Sequence, residues 1–468
     1  MFRSISSYLG SFCLLISFFS LLNFIYSQYF NFYLNLNSYL YTLLISFCSG
    51  VLLIYINKKK NNKITIYEKI IIIIFGFFYF PLLISIPYYL SIYNLTFIDC
   101  YFEAISGFTS TGFTIFNNIK YIDETLIIWR STSQWLGGLF FLFSLILLLD
   151  VFNYKIKNFL TSFISINLIE TKKQILKIFI LYLFLTFIIF ILLIFSGVRL
   201  FDSFNLSMTI ISSGGFIPSN NLNEIIFNNK QILTMCFAML FSYFNLYFIY
   251  NLVFFKRKLS FFYEDVYLLY YLLIIFFLFL IFFNNFNNFY LIIFSIVSSV
   301  SSIGISFNDM PDRLIIVFLS LTIIGGGYFS TSSGIKLIKL ISLFKYSLNE
   351  LLLIARPKYI LRTNLGDSGI NIENDEMKKY FLSFIFFLIC FFTLSFILSL
   401  FGSDFSDSLT LSILTLTNTV NSSAYGINNF NFYDLSIFAK IFVMLFMIIA
   451  RVELLVFLFL FKKFFFKN

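Results

Sequence analysis

Thr109-Ser110-Thr111-Gly112-Phe113 is a small polar cluster that directly follows a short apolar segment, and three related clusters lie further along the chain. They are Ser212-Ser213-Gly214-Gly215-Phe216, Ser301-Ser302-Ile303-Gly304-Ile305 and the weaker Asn418-Thr419-Val420-Asn421-Ser422. In a membrane protein, rings of hydroxyl and backbone carbonyl oxygens coordinate bare cations. The fourfold repetition therefore predicts a ring-shaped cation site.

The composition is that of a polytopic membrane protein. The 468 residues are 60% hydrophobic and 12% charged, and their mean hydropathy is +0.92, far above that of ordinary soluble domains. Apolar stretches such as 70–90, 126–149, 178–195 and 380–400 reach the length of about 20 residues that crosses a hydrocarbon core as a helix. Because they lack the alternation of barrel strands, the predicted class is an all-α membrane protein.

The net charge of +10 is concentrated beside the spans. Basic residues fill three gaps, at 58–63, 155–173 and 256–258, and the loops between these gaps are poor in Lys and Arg. The positive-inside rule places the basic gaps in the cytoplasm. This pattern argues against nucleic-acid binding and predicts a multi-pass protein of the cytoplasmic membrane with both termini in the cytoplasm.

The residue types present argue against an enzyme. The chain has no His, and its five Cys stand singly without a CxxC pair. Hardly any acidic residues lie inside the spans, so no convergent acid, base or metal set is visible.

Two helices, near 8–25 and 40–56, are expected before four repeated units. Each unit contains a full-length span, a short apolar segment, the polar cluster and a second span. The short segments, at 99–108, 202–211, 289–300 and 407–416, have the length of about 10 to 14 residues that is expected of re-entrant helices. The predicted segments are 1–64, 65–158 (unit 1), 159–260 (unit 2), 261–350 (unit 3) and 351–468 (a cytoplasmic loop and unit 4).

The first two units align without gaps, since Asp99 and Asp202 each lie thirteen residues before a cluster glycine. Asp at the start of a short helix suits an N-cap and the positive end of the helix dipole, so we expect Asp99, Asp202 and Asp407 to cap their helices. The carbonyls at the other end would then face the cluster. A single Ser/Thr/Gly cluster would indicate close helix packing, but four in register favour a shared centre.

The second span of unit 3 contains a break. Residues 313–345 would form one helix of about 50 Å, interrupted by Gly325-Gly326-Gly327 and Ser330-Thr331-Ser332-Ser333-Gly334. Such a run is expected to unwind the helix and to form a movable obstruction beneath the ring. The segment is not a Walker motif, because Ile335 separates Gly334 from Lys336.

Four charged residues are expensive inside a membrane unless they are paired or hydrated, which makes them functional candidates: Arg130, Lys336, Arg451 and Glu453. Lys336 has the alternative of snorkelling toward the cytoplasmic face. We expect Arg451 to contact the broken segment or Glu453.

These motifs resemble the Trk/Ktr/HKT superfamily of cation transporters, and most closely its bacterial TrkH branch. The resemblance rests on residues 102–112 and on Trp129-Arg130-Ser131 with Gln134-Trp135-Leu136-Gly137-Gly138. Unit 3 adds the run from Gly325 to Lys336, and the last helix adds Arg451-Val452-Glu453.

The resemblance implies a pseudo-fourfold pore that takes up potassium, with the ion held by backbone carbonyls of the clusters and the filter glycines at Gly112, Gly215 and Gly304. Residues 325–336 and Arg451 would form an intramembrane gate. The resemblance also implies a homodimer and a cytosolic nucleotide-binding regulatory subunit of the TrkA/KtrA type. No dinucleotide fingerprint occurs in this sequence, so a nucleotide would act only through that partner.

Asn421 is taken to stand where the fourth filter glycine is expected, which leaves a sodium or non-selective cation pathway of the same fold as an alternative. Gly112 favours potassium, because a serine at this position accompanies sodium preference in plant relatives. A secondary transporter with a midplane pocket is a further alternative, although its usual sign is two halves with broken helices rather than four clusters. A membrane scaffold would explain neither the repeats nor the break. The charged stretch 345–379 is either a docking site for a regulator or a solvated loop.

Overall fold

The computed structural model describes residues 2–56, 65–148, 171–254, 262–282, 289–307, 312–355, 364–365, 370–371, 374–427, 430–452 and 456–457. The α-helices in this part are α1 (Phe2–Tyr29), α2 (Leu36–Ile56), α3 (Ile66–Tyr89), α4 (Phe97–Phe108), α5 (Glu124–Leu148), α6 (Thr171–Phe195), α7 (Leu200–Ile211), α8 (Asn229–Tyr243), α9 (Leu246–Phe254), α10 (Tyr263–Phe282), α11 (Phe289–Val300), α12 (Ile315–Ile323), α13 (Leu337–Ala355), α14 (Asn374–Leu400), α15 (Phe405–Thr417) and α16 (Ile437–Val452).

Strand structure in the described residues is limited to two short pairs. The parallel pair joins β1 (Ile324–Gly325) to β2 (Ile335–Lys336), and the antiparallel pair joins β3 (Asn364–Leu365) to β4 (Ile370–Asn371). Single 3₁₀ turns lie at Tyr33–Asn35, Ile119–Tyr121, Leu222–Glu224, Asp312–Leu314, Ser423–Tyr425 and Phe432–Asp434.

Seven helices of the described part are long and apolar enough to cross a membrane, which confirms an all-α, multi-pass membrane protein. Their burial separates a centre from a periphery. The apolar window of α5 is 94% buried, whereas those of α2 and α10 are 22% buried. The helix α5 therefore lies at the centre, and α2 and α10 present apolar side chains outward, as helices that face lipid do.

Four units surround one centre: α3–α5 form unit 1, α6–α9 unit 2, α10–α13 unit 3 and α14–α16 unit 4. Helix packing gives their order, because α5 packs on α7, α8 on α11, α12 on α15, and α16 on α4. Each unit therefore touches the next and the last touches the first. Units 2 and 4 face each other across the ring, as do units 1 and 3.

The short helices α4, α7, α11 and α15 occupy the four predicted re-entrant segments, but the predicted Asp caps are wrong. The N-cap residues are Thr96, Arg199 and Asp404, and the aspartates lie three positions later, in the first turn. They still lie near the positive end of the helix dipole. In unit 1 the Thr96 hydroxyl accepts a hydrogen bond from the backbone nitrogen of Asp99, so threonine supplies the cap that the sequence analysis assigned to Asp99.

Two of the second spans are not straight. The predicted break in unit 3 is confirmed, because α12 ends at Ile323 and α13 begins at Leu337. Unit 2 also departs from a simple span, since α8 and α9 meet at an angle of 120° at Phe244 and Asn245. Two hydrogen bonds to unit 3 stabilise the bend. The backbone nitrogen of Asn245 donates to Asp265 Oδ1, and that of Leu246 donates to the Phe329 carbonyl.

Candidate functional site

The four short helices end in the same way. In each, one residue adopts left-handed backbone torsions, and these residues are Ser110 (φ 57°), Ser213 (φ 53°), Ser302 (φ 55°) and Asn418 (φ 47°). The backbone nitrogen of each bonds to the carbonyl three residues earlier, and the next nitrogen bonds to the carbonyl five residues before itself. This is the Schellman pattern, with serine or asparagine in the place that glycine usually takes. The four C-terminal ends, where the helix dipole is negative, therefore share one geometry.

These left-handed residues fix the register of the clusters. Two positions after them lie Gly112, Gly215, Gly304 and Val420. The assignment of Asn421 to the fourth glycine position is therefore wrong, because Asn421 lies one residue further on. The fourth unit replaces glycine with valine.

Gly112 and Gly304 have φ values of 87° and 81°, torsions that glycine adopts without the steric cost of a Cβ atom. Neither Gly215 nor Val420 has a positive φ. At this level of the ring, the sign of the backbone φ angle is therefore the same in opposite units and differs between neighbouring units.

Hydrogen bonds join neighbouring clusters. Asn418 Nδ2 donates to Thr111 Oγ1 at 2.9 Å and joins unit 4 to unit 1. Between units 3 and 4, the Ser422 hydroxyl donates to the Gly304 carbonyl at 2.6 Å and the Val420 nitrogen contacts the Ile303 carbonyl at 3.4 Å. These bonds connect the clusters of units 3, 4 and 1.

Side chains of unit 1 also anchor its own cluster and that of unit 2. Gln134 Oε1 on α5 accepts from the Phe216 nitrogen at 3.2 Å and joins unit 1 to unit 2. Thr109 and Thr111 share a hydroxyl hydrogen bond of 2.8 Å, and Phe113 stacks on Phe432 with ring centroids 4.5 Å apart. The predicted cluster residues are buried, except Asn421 and Ser422, which are half-buried.

A cavity of ≈ 640 Å³ opens on one side of the ring. Its floor includes Gly112, Gly215 and Val420, and amide side chains are frequent in its walls. Among the described lining residues only Arg130 is charged. The cavity forms a vestibule that ends at the glycine level of the ring.

Arg130 is paired, and its contacts give it a structural role in the wall. Its Nε atom lies 2.9 Å from Glu103 Oε1, and the two side chains are 1% and 0% exposed. The other carboxylate oxygen of Glu103 accepts from the Ile115 nitrogen at 2.9 Å, and the Thr114 hydroxyl donates to Oε1. Glu103, which sequence reasoning passed over, thus ties the chain leaving the first cluster back to its helix.

A second buried ion pair joins units 1 and 4. Lys440 Nζ on α16 lies 2.6 Å from Asp99 Oδ1 and also donates to the Tyr433 carbonyl at 2.8 Å. Asp99 therefore connects two units.

The broken helix of unit 3 forms an intramembrane loop, residues 324–336, that packs directly against the ring. The Ser213 hydroxyl donates to the Thr331 carbonyl at 2.7 Å, and the Ser333 nitrogen donates to Ser302 Oγ at 2.8 Å. Thr331 Oγ1 also donates to the Ile211 carbonyl. Two of the three left-handed serines, Ser213 and Ser302, therefore hold the loop, and the bond from Ser213 joins unit 2 to unit 3.

The predicted contact of Arg451 with this segment is confirmed. Its Nη1 atom donates to the Thr331 carbonyl at 2.9 Å and to Ser333 Oγ at 2.6 Å. Its Nη2 atom contacts Ser110 Oγ at 3.4 Å and the Ser212 carbonyl at 3.3 Å. One guanidinium group therefore joins the loop to the clusters of units 1 and 2.

Lys336 does not snorkel, because it is 3% exposed and donates to the Ser332 carbonyl at 2.8 Å. Within the loop, Gly325 pairs with Lys336, and Ser330 Oγ donates to the Gly327 carbonyl. Glu453, the basic residues 58–63, 155, 157 and 256–258, and Arg356, Lys358 and Arg362 lie outside the described residues.

Sequence reasoning missed the residues that hold the loop from behind. The Ser242 and Tyr243 carbonyls accept from the Ser332 and Gly327 nitrogens, and buried Glu264 accepts from the Tyr328 nitrogen at 2.8 Å. Glu264 and Asp265 at the start of α10 and the lone Asn245 in an apolar stretch could have indicated these contacts, since buried polar groups need hydrogen-bond partners.

Two adjacent glycines of the loop give a matched test of this packing. A Cβ atom at Gly326 would lie 2.2 Å from the Tyr243 carbonyl oxygen, whereas one at Gly327 would meet nothing closer than 3.2 Å. We expect Gly326→Ala to lower the thermal stability of the detergent-solubilised protein by ~1–3 kcal/mol, as overpacking does, and Gly327→Ala to cost less. Equal unfolding temperatures for the two variants would contradict the placement of the loop.

Comparison with known proteins shows what the chain is similar to. No family model matches the chain. It is 27% identical over 455 residues to the Trk system potassium uptake protein TrkG of Escherichia coli, covering 91% of each chain. It is also 27% identical over 394 residues to a cation transporter of Methanocaldococcus jannaschii, covering 82% of this chain and 80% of the relative.

The fold agrees with these relatives. The crystal structure of the potassium transporter TrkH from Vibrio parahaemolyticus superimposes with a TM-score of 0.85 at 19% identity, and the match covers both chains fully. In sequence and in fold the chain is similar to the Trk system potassium uptake proteins, which confirms the TrkH-type resemblance drawn from the sequence. It is a transport protein and not an enzyme, in agreement with the sequence analysis. At the position where the other three clusters have glycine, the fourth cluster has Val420.

Proposed function

We propose that the chain is the pore subunit of a potassium uptake system of the cytoplasmic membrane. The observation that carries the proposal is the ring of four short helices that end in one geometry, with three glycines in one register. Helix C-terminal ends and uncharged oxygen atoms suit a monovalent cation. Asn418 Oδ1 adds a buried oxygen that has no protein partner among the described residues. The choice of potassium as the transported ion rests on the names of the relatives, which are potassium uptake proteins.

In this proposal the clusters are the filter and the intramembrane loop is the gate. The loop lies against the ring on the side where Arg451 and Lys336 bind it. Uptake requires the loop to move aside, and Gly334 (φ 82°) provides a flexible point before β2. The hydrogen bonds of Arg451 to Thr331 and Ser333 favour the closed position.

The assembly is part of the same proposal. The chain forms homodimers, and a cytosolic nucleotide-binding subunit of the TrkA/KtrA type controls the gate. Both termini lie in the cytoplasm, and the functional segments are 1–64, 65–158, 159–260, 261–350 and 351–468. Support comes from the similarity to the Trk system proteins and from the grouping of the helices into four units.

The first test is growth of bacteria that lack their own potassium uptake systems. We expect expression of this chain together with a cognate regulatory subunit to restore growth at limiting potassium. Absence of growth, with the protein present in the membrane, would count against potassium uptake. The second candidate, a sodium or non-selective pathway, is favoured by Val420 and would instead give sodium uptake without rescue.

A further inference from the structure

Val420 is the one cluster residue at the glycine level of the ring that carries a side chain, and this side chain points toward the opposite unit. A Cβ atom built on Gly215 would lie 2.3 Å from Val420 Cβ and 2.6 Å from its Cγ1. Real Cβ atoms do not approach so closely, so the valine already occupies the space in front of Gly215. The side chain of unit 4 therefore spans the ring to unit 2.

The other two units also meet Val420. A Cβ atom on Gly112 would lie 3.0 Å from Val420 Cβ, and one on Gly304 would lie 2.8 Å from the Val420 carbonyl oxygen. Val420 is buried and forms part of the vestibule floor. The isopropyl group therefore lies where the vestibule meets the ring glycines.

The neighbouring backbone limits how far Val420 can retreat. Its nitrogen contacts the Ile303 carbonyl at 3.4 Å, and the Ser422 hydroxyl holds the Gly304 carbonyl at 2.6 Å. Ser423 adds a hydrogen bond to Ser306 at 2.7 Å. Valine is also restricted at χ1, because two methyl groups branch from its Cβ atom. The fourth cluster is therefore fixed against unit 3 at the valine and directly after it.

We propose that Val420 is the residue that limits cation passage through this ring. Its apolar side chain removes free volume on the pathway and offers no oxygen in return, so an ion at this level loses ligands that a glycine backbone would leave accessible. The proposal rests on the proposed function, since it assigns the residue that restricts flux through the same filter. It makes side-chain volume at position 420, and not the polarity of Asn421, the property that sets the rate.

The test is a volume series at position 420 in purified full-length protein reconstituted into liposomes. Uptake of radioactive rubidium under an inside-negative potential is expected to rise at least about tenfold for Val420→Gly, to rise less for Val420→Ala, and to fall below wild type for Val420→Ile. Val420→Ala removes the methyl groups without adding glycine's backbone freedom, so it keeps the test valid if the glycine variant folds poorly. The control is Val317→Ala, the same truncation on the outward side of α12, which should leave uptake unchanged.

Equilibrium binding of rubidium to the solubilised protein separates this proposal from the proposed function. If neither the wild type nor the variants take up rubidium, the binding measurement tests the proposal by itself. Rubidium binding by Val420→Gly that is at least about tenfold tighter than binding by the wild type would then support the role of Val420. Unchanged binding in that case would overturn it. If the wild type conducts and neither Val420→Gly nor Val420→Ala conducts faster, the proposal is overturned while the transport function stands.

Discussion

Replacing Arg451 with Met is expected to raise rubidium uptake about tenfold in liposomes that contain no regulatory subunit. Met has a similar length but cannot donate to the Thr331 carbonyl or to Ser333 Oγ. Hydrogen bonds from charged donors contribute about 1.5–3 kcal/mol each, so losing two of them shifts the closed loop toward open states. Removing a positive charge beside the ring also lowers the electrostatic barrier to a cation, which raises uptake further.

Lys440→Met is the matched control, because Lys440 is a second buried cation on α16 whose hydrogen bonds go to Asp99 and Tyr433 and not to the loop. We expect this variant to lose stability and not to gain flux. Uptake by Arg451→Met that equals wild type, per amount of folded protein, would show that Arg451 does not hold a gate.

Glu103→Gln is expected to destabilise the protein by ~3–5 kcal/mol, because it leaves the guanidinium of Arg130 buried without its counter-ion. The substitution keeps the size of the side chain while removing the charge that accepts from Arg130 Nε. Thermal unfolding of the solubilised protein measures the effect. Flux per folded molecule should also fall, since Glu103 holds the chain that leaves Gly112.

Two further variants serve as controls for the Glu103→Gln measurement. Glu224→Gln makes the same change at an exposed position and should leave the unfolding temperature unchanged. Glu103→Gln combined with Arg130→Met removes both charges and should recover much of the lost stability. If Glu103→Gln unfolds at the same temperature as Glu224→Gln, the buried pair does not stabilise the first cluster.

The sequence predicted the four short helices well because each ends at a strong local signal. The predicted C-terminal ends of the first three coincide with Phe108, Ile211 and Val300, and the fourth differs by one residue. The break in unit 3 was equally readable, since three consecutive glycines disfavour a helix interior.

The prediction for the fourth cluster is wrong because it places the cluster by the expected glycine, whereas in the structure the four clusters correspond through their left-handed residues. Asn418 takes the place of the three serines, and asparagine tolerates these torsions better than most residues. With Asn418 in register, the glycine position falls on Val420. The contact of Arg451 with the loop could be expected, because a charge inside a membrane needs a partner. The pairing of Lys440 with Asp99 joins residues 341 positions apart and could not be read from local pattern.

Potassium selectivity of the ring is tested most directly by rubidium uptake into liposomes that contain the purified chain, driven by an inside-negative potential and competed by unlabelled ions. We expect uptake above that of protein-free liposomes, which potassium suppresses and an equal concentration of sodium does not. Uptake that sodium suppresses as well as potassium does, or that potassium fails to suppress, would contradict a potassium-selective ring.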